Sequence, residues 1–123
     1  MLIMELLTTI LWILVALFVG PTFYFGYVKV IAEPDKVRKF STWGYSIKVM
    51  QLIGVIEIIA AVAILFPEIR LFGIIVWAVL LTGAVFTHLV HKEPKKEVIS
   101  VLSILAHLMI IFALNFWLNN SIN

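Results

Sequence analysis

One carboxylate stands in the middle of the most apolar run of the chain. The run reads from Ile47 to Phe66, about 20 residues of nearly unbroken hydrocarbon with Glu57 near its centre. That is long enough to cross a bilayer as a helix. A charge at such depth costs at least ~2.5 kcal/mol on insertion scales. The cost is bearable if Glu57 faces inward, toward a partner, a proton or a ligand. Gly54, Glu57 and Ala61 share one helical stripe, since residues three, four and seven apart lie on one face. Small residues flanking a carboxylate let a neighbouring backbone come close.

His107 occupies the middle of another apolar run. Glu57 and His107 could therefore meet near the midplane, as an ionic pair or as a neutral pair sharing one proton. Such a pair either fixes helix register or belongs to a ligand or proton site. His88 lies about seven residues from the centre of its own run, roughly 10 Å toward one end. That depth mismatch with His107 speaks against a b-type haem held between them. His88 and His91 have a spacing that could hold a metal near the membrane surface. No cysteine joins them, and Glu93 falls beyond the helix end, so headgroup-facing histidines are the ordinary reading. Trp77, Ala84, His88 and His91 line up on one face, and Ser100, Ser103 and His107 on another. The candidate ligand-binding set is Glu57, Gly54, His88, His107 and Trp77. No catalytic residue and no metal ligand set is assigned.

The elements that must position these residues are four apolar spans. The chain of 123 residues is 63% hydrophobic and 13% charged, with a mean hydropathy of +1.15. A soluble domain is nearer half apolar and a quarter charged, so composition alone marks a membrane protein. There is no cysteine, which excludes a disulfide framework and cysteine-ligated clusters within this chain. No nucleophile triad, phosphate loop or dinucleotide fingerprint is present. The spans are expected at about 6–28, 47–66, 71–90 and 98–118, in one all-α domain covering 1–123. The first run lacks the positive leader of a signal peptide, so it reads as a retained span. Gly20-Pro21 predicts a kink in it. Lys29 at its end is expected to snorkel to the headgroups. Pro67 and Glu68 end the second span, leaving a tight antiparallel hairpin with the third.

The longest connection, 31–46, mixes Lys36, Arg38 and Lys39 with Phe40, Trp43 and Tyr45. Asp35 after Pro34 could start a short helix there. Cations interleaved with rings describe a segment on the membrane interface, so Lys29, Lys36, Arg38, Lys39 and Trp43 are expected to meet lipid. Eight of the nine Lys and Arg fall in 29–48 and 91–97, and Arg70 is alone in the opposite turn. The positive-inside rule places both basic loops in the cytoplasm of a multi-pass cell-membrane protein, with both termini outside. The basic charge thus reads as topology, not as a nucleic-acid surface.

With these residues in view, the chain resembles the DoxX-like family of small four-helix membrane proteins. Phe25-Gly26-Tyr27-Val28-Lys29 is like that family's G-x-x-K, and Trp43-Gly44-Tyr45 is similar to its W/L-G-Y-P turn, with Ser46 in place of the proline. Ile53-Gly54-Val55-Ile56-Glu57, followed by Leu65-Phe66-Pro67, is the clearest match. Gly83-Ala84-Val85-Phe86-Thr87-His88 matches the end of the third span. The resemblance implies membrane subunits of oxidoreductase assemblies, a thiosulfate:quinone oxidoreductase among them, or assembly factors for membrane proteins.

The expected architecture is therefore an all-α, four-transmembrane-helix antiparallel bundle. The expected role is that of an accessory subunit, not itself an enzyme, that binds a quinone or a lipid around Glu57. The rival is an interaction protein, docked on another membrane protein or on a second copy, in which Gly54 and Glu57 serve packing.

Overall fold

The computed structural model describes residues 1–122, with side chains through Asn120. Five helices follow one another: α1 (Leu2–Val30), α2 (Pro34–Thr42), α3 (Ile47–Leu65), α4 (Arg70–Val90) and α5 (Lys95–Ile122). Four of them, α1, α3, α4 and α5, are long and apolar enough to span a membrane. They close a ring in which α1 packs on α3, α3 on α4, α4 on α5 and α5 on α1. The all-α, four-span architecture is the one expected from sequence.

The ends of the helices have local causes. Glu33 caps α2, its carboxylate accepting from Asp35 N at 3.1 Å and Lys36 N at 3.3 Å, and Pro34 takes the first helical position. Proline suits that position because it has no amide proton to leave unpaired. Ser46 caps α3 by accepting from Val49 N at 3.2 Å. That is the position where the resemblance led to a proline. Phe66 is extended and Pro67 follows, which stops α3. The helices outrun the expected spans at most ends, by four residues at the start of α1 and by three at the start of α5. Hydropathy marks the hydrocarbon slab, whereas backbone hydrogen bonding continues a helix past it. Pro21 lies within α1 without ending it. Thr22 beside it is buried and donates to Phe18 O at 2.6 Å.

Two pairs of helices touch backbone to backbone. A methyl group added at Gly54 would stand 2.7 Å from Gly26 O, which makes α1 and α3 neighbours with no side chain between them. A methyl added at Gly73 would stand 2.5 Å from Ala60 O, which does the same for α3 and α4. Gly26 and Gly54 lie toward the end of the bundle that carries the lysine-rich connections, the basic end. Gly73 lies toward the opposite end. Nothing comes within 4 Å of a methyl placed on Gly83, further along α4. So α4 is pinned to α3 at Gly73, and Gly83 is exposed. The apolar core lies between the pinned parts: Val15, Phe18, Ile64, Ile74, Trp77, Leu108 and Ile111.

The buried stripe of α5 is Val101, Leu108, Ile111, Asn115 and Leu118. Ser100 and Ser103 are exposed, and Ser103 Oγ donates to Ile99 O of its own helix at 2.9 Å. The polar stripe therefore does not face inward. A serine hydroxyl can bond the preceding turn, so it needs no partner from a neighbouring helix.

Candidate functional site

The bundle holds a cavity of about 450 Å³ toward its basic end. Every helix lines it: α1 through Phe25 and Lys29, α2 through Lys36 and Lys39, α3 through Ile53 and Glu57, α4 through Trp77 and His88, and α5 through Val101 and Ile104. That volume falls in the range of small-molecule sites. Its length follows from α4. Trp77 and His88 are eleven residues apart, or ~16 Å along the axis.

Glu57 faces inward, at 7% exposure. Its companion is Lys29 of α1, with Nζ 2.9 Å from Glu57 Oε1. The pairing follows from helix chirality. Side chains tilt toward the N-terminus of their helix. In α1 that direction leads from the basic end into the bundle, and in the antiparallel α3 it leads from the middle toward the basic end. The two side chains converge. Lys29 does not snorkel outward as the sequence suggested; it also donates to Phe25 O at 3.3 Å, one turn inward. Nor does Glu57 meet His107. The His107 ring lies on the α1–α5 seam, where Nε2 donates to Leu14 O at 2.9 Å and the ring meets Phe18 edge-on.

Of the five sequence candidates, Glu57, Trp77 and His88 come together in the cavity wall. Gly54 is behind the wall, holding α3 against α1. His107 is outside it. Trp77 Nε1 and His88 Nδ1 are buried with no hydrogen-bond partner. Each such orphan is costly in a dry interior, on the order of 1–3 kcal/mol. Glu93 Oε1 is 3.8 Å from His88 Nδ1, too far for a hydrogen bond. His91 turns away and is exposed, with Nδ1 against Thr87 O at 2.9 Å.

The basic end of the cavity is roofed by α2 and the residues after it. Phe40 is buried. Trp43 stands edge-on over His88 at 5.4 Å between ring centres, and its Nε1 donates to Glu93 Oε1 at 3.0 Å. Lys39 Nζ lies 3.8 Å from Glu93 and 3.9 Å from Glu97. Tyr45 OH and Thr87 Oγ1 are 3.4 Å apart. Four of the five residues read as interfacial thus line the cavity: Lys29, Lys36, Lys39 and Trp43. Arg38 alone is exposed, paired with Asp35.

Sequence reasoning missed Glu93 as the anchor of this roof. A signal for it exists. Glu33-Pro34 and Glu93-Pro94 follow α1 and α4 in the same way, each after a residue with positive φ, Ala32 or Lys92, both at 54°. Glu33 caps the helix that follows it, whereas Glu93 turns to Trp43. It also missed Arg70, which is 2% exposed at the other end. Arg70 Nε donates to Ile64 O at 2.8 Å, Nη1 donates to Asn115 Oδ1 at 3.1 Å, and the guanidinium lies 4.7 Å from the Trp12 ring centre.

No curated protein and no solved structure matches the chain. The model of the DoxX-like family matches residues 10–113, reaching into all four spanning helices, and this multi-pass membrane protein belongs to that family.

Proposed function

We propose that the protein is an accessory membrane subunit that holds a small lipophilic molecule, a quinone or a lipid, in the cavity beside Glu57. One observation carries the reading: a cavity of about 450 Å³ is lined by the buried side chains of Glu57, Trp77 and His88, within reach of every helix of the bundle. The Lys29–Glu57 pair supplies fixed charge at the cavity wall without leaving a net charge in the apolar region. The whole chain acts as one bundle, with loops 29–48 and 91–97 in the cytoplasm and both termini outside. Association with an oxidoreductase would follow if the ligand is a quinone.

The rival, a chaperone-like partner of another membrane protein, loses one support. Gly54 packs against this chain's own Gly26, so that glycine is not free for an outside helix. Native mass spectrometry of the protein released from mild detergent tests the proposal. A retained lipophile of a few hundred daltons is expected on the wild type and depleted on Glu57→Gln. Protein that is folded and free of any such mass, in several detergents, would overturn it.

A further inference from the structure

The cavity reaches the outer face of the bundle beside α4. Its wall runs from Trp77, 2% exposed, to Val79, 67% exposed on the outer face of the bundle. Gly83 also lines it, and space is empty where a side chain would be. The gap therefore lies beside α4 at mid-depth, where acyl chains surround the helix. At the basic end the way out is covered by Phe40, by Trp43 on His88 and by the Trp43–Glu93 hydrogen bond.

Charge is distributed unevenly along the cavity. The part of the wall farthest from α2 is apolar, with Leu80, Leu81 and Ile104. The cations collect under α2. Lys29, Lys36 and Lys39 line the cavity against two carboxylates, Glu57 and Glu97. Lys29 is taken by Glu57, and Lys39 lies near Glu97 and Glu93. Lys36 has no carboxylate within 4 Å among the described residues. Of the three lysines, Lys36 is the one without an ion-pair partner, and it stands at the depth where a leaflet places its headgroups. The shape agrees. The cavity extends along α4 from His88 under α2 to Trp77, about 16 Å deeper, the elongated form of an alkyl chain.

We propose that the cavity is filled sideways from the bilayer, through the gap at Gly83, by a single-chain amphiphile whose anionic head rests by Lys36 under α2. The proposal rests on the lipophile-binding reading and narrows it to an acidic, one-chain ligand. In the bound state the alkyl chain fills the apolar part of the cavity beside Gly83, and the head lies at the basic end by Lys36. A carboxylate or phosphate accepts hydrogen bonds from an ammonium more strongly than a neutral carbonyl does.

The test uses the full chain in nanodiscs and three probes: palmitate, hexadecanol with the same chain and a neutral head, and decylubiquinone. Binding is followed by quenching of tryptophan fluorescence and by native mass spectrometry. Palmitate is expected to bind at least tenfold more tightly than hexadecanol. Lys36→Gln removes most of that preference. Gly83→Trp, which fills the gap, lowers palmitate occupancy several-fold, while Gly20→Ala, outside the cavity, leaves it intact. If the tryptophan variant does not fold, Gly83→Leu serves the same purpose. Equal binding of palmitate and hexadecanol, or unchanged binding in a folded variant with the gap filled, overturns the proposal. Decylubiquinone binding without palmitate binding overturns it too, but leaves the broader reading standing. Binding of none of the three removes both.

Discussion

Lys29 of α1 and Glu57 of α3 reach toward each other along antiparallel helices and meet with Nζ 2.9 Å from Oε1. Both are mostly buried, at 13% and 9% side-chain exposure. Breaking such a pair is worse than removing it, because the survivor keeps its charge without a counter-charge. Glu57→Gln is expected to destabilise the protein by about 1–4 kcal/mol, and Lys29→Met by a similar amount. The double variant should recover much of either loss. Thermal melting of the four proteins in one detergent gives the coupling directly. Additive losses would show that the two charges are independent.

The glycines divide into two classes that a melt can separate. Gly54→Ala and Gly73→Ala push a methyl into a backbone oxygen at 2.7 Å and 2.5 Å. Each is expected to lower stability by ~1–3 kcal/mol through overpacking. Gly20 and Gly83 have nothing within 4 Å. Gly20→Ala and Gly83→Ala should be neutral or stabilising by up to ~1 kcal/mol, since alanine is the better helix former. All four losing stability alike would contradict the close approach of α3 to both neighbours.

Trp43 holds the roof through Glu93 and His88. The chain has no cysteine, so one introduced at Ala84, inside the cavity, is an unambiguous reporter. Trp43→Ala should raise its rate of labelling by a water-soluble maleimide several-fold. Glu93→Gln should raise it less, because the indole can still donate to the amide oxygen. An unchanged rate in both would mean that α2 does not control access from water.

Arg70 joins α3, α4, α5 and α1 in one cluster. Its planar fork reaches two acceptors while stacking on Trp12. An ammonium cannot reproduce that geometry. Arg70→Lys is therefore expected to cost ~1–3 kcal/mol, and Asn115→Leu somewhat less. Melting curves decide it, and a wild-type melt for Arg70→Lys would mean that charge alone suffices.

Topology has its own readout. Ser41 is exposed on α2, and Glu68 is exposed in the opposite turn. Single cysteines at these positions should be labelled from opposite sides, Ser41→Cys from the cytoplasm and Glu68→Cys from outside. The reverse pattern would overturn the assignment made from the lysines.

The residue order alone determined the number of spans, the tight turn at Pro67 and the inward position of Glu57. These follow from hydropathy, from the missing proline amide and from the cost of a charge in hydrocarbon. Each is a property of one segment and the solvent around it. The partner of Glu57 was decided only by the tertiary structure. Depth suggested His107, at the middle of its own span, but the direction in which side chains lean and the glycine contact between α1 and α3 select Lys29. The cavity is likewise invisible in the sequence. Its wall combines residues of all five helices, and a connection that reads as interfacial folds over its end. Which faces meet depends on packing between segments far apart in the chain, and no single segment's periodicity carries that information.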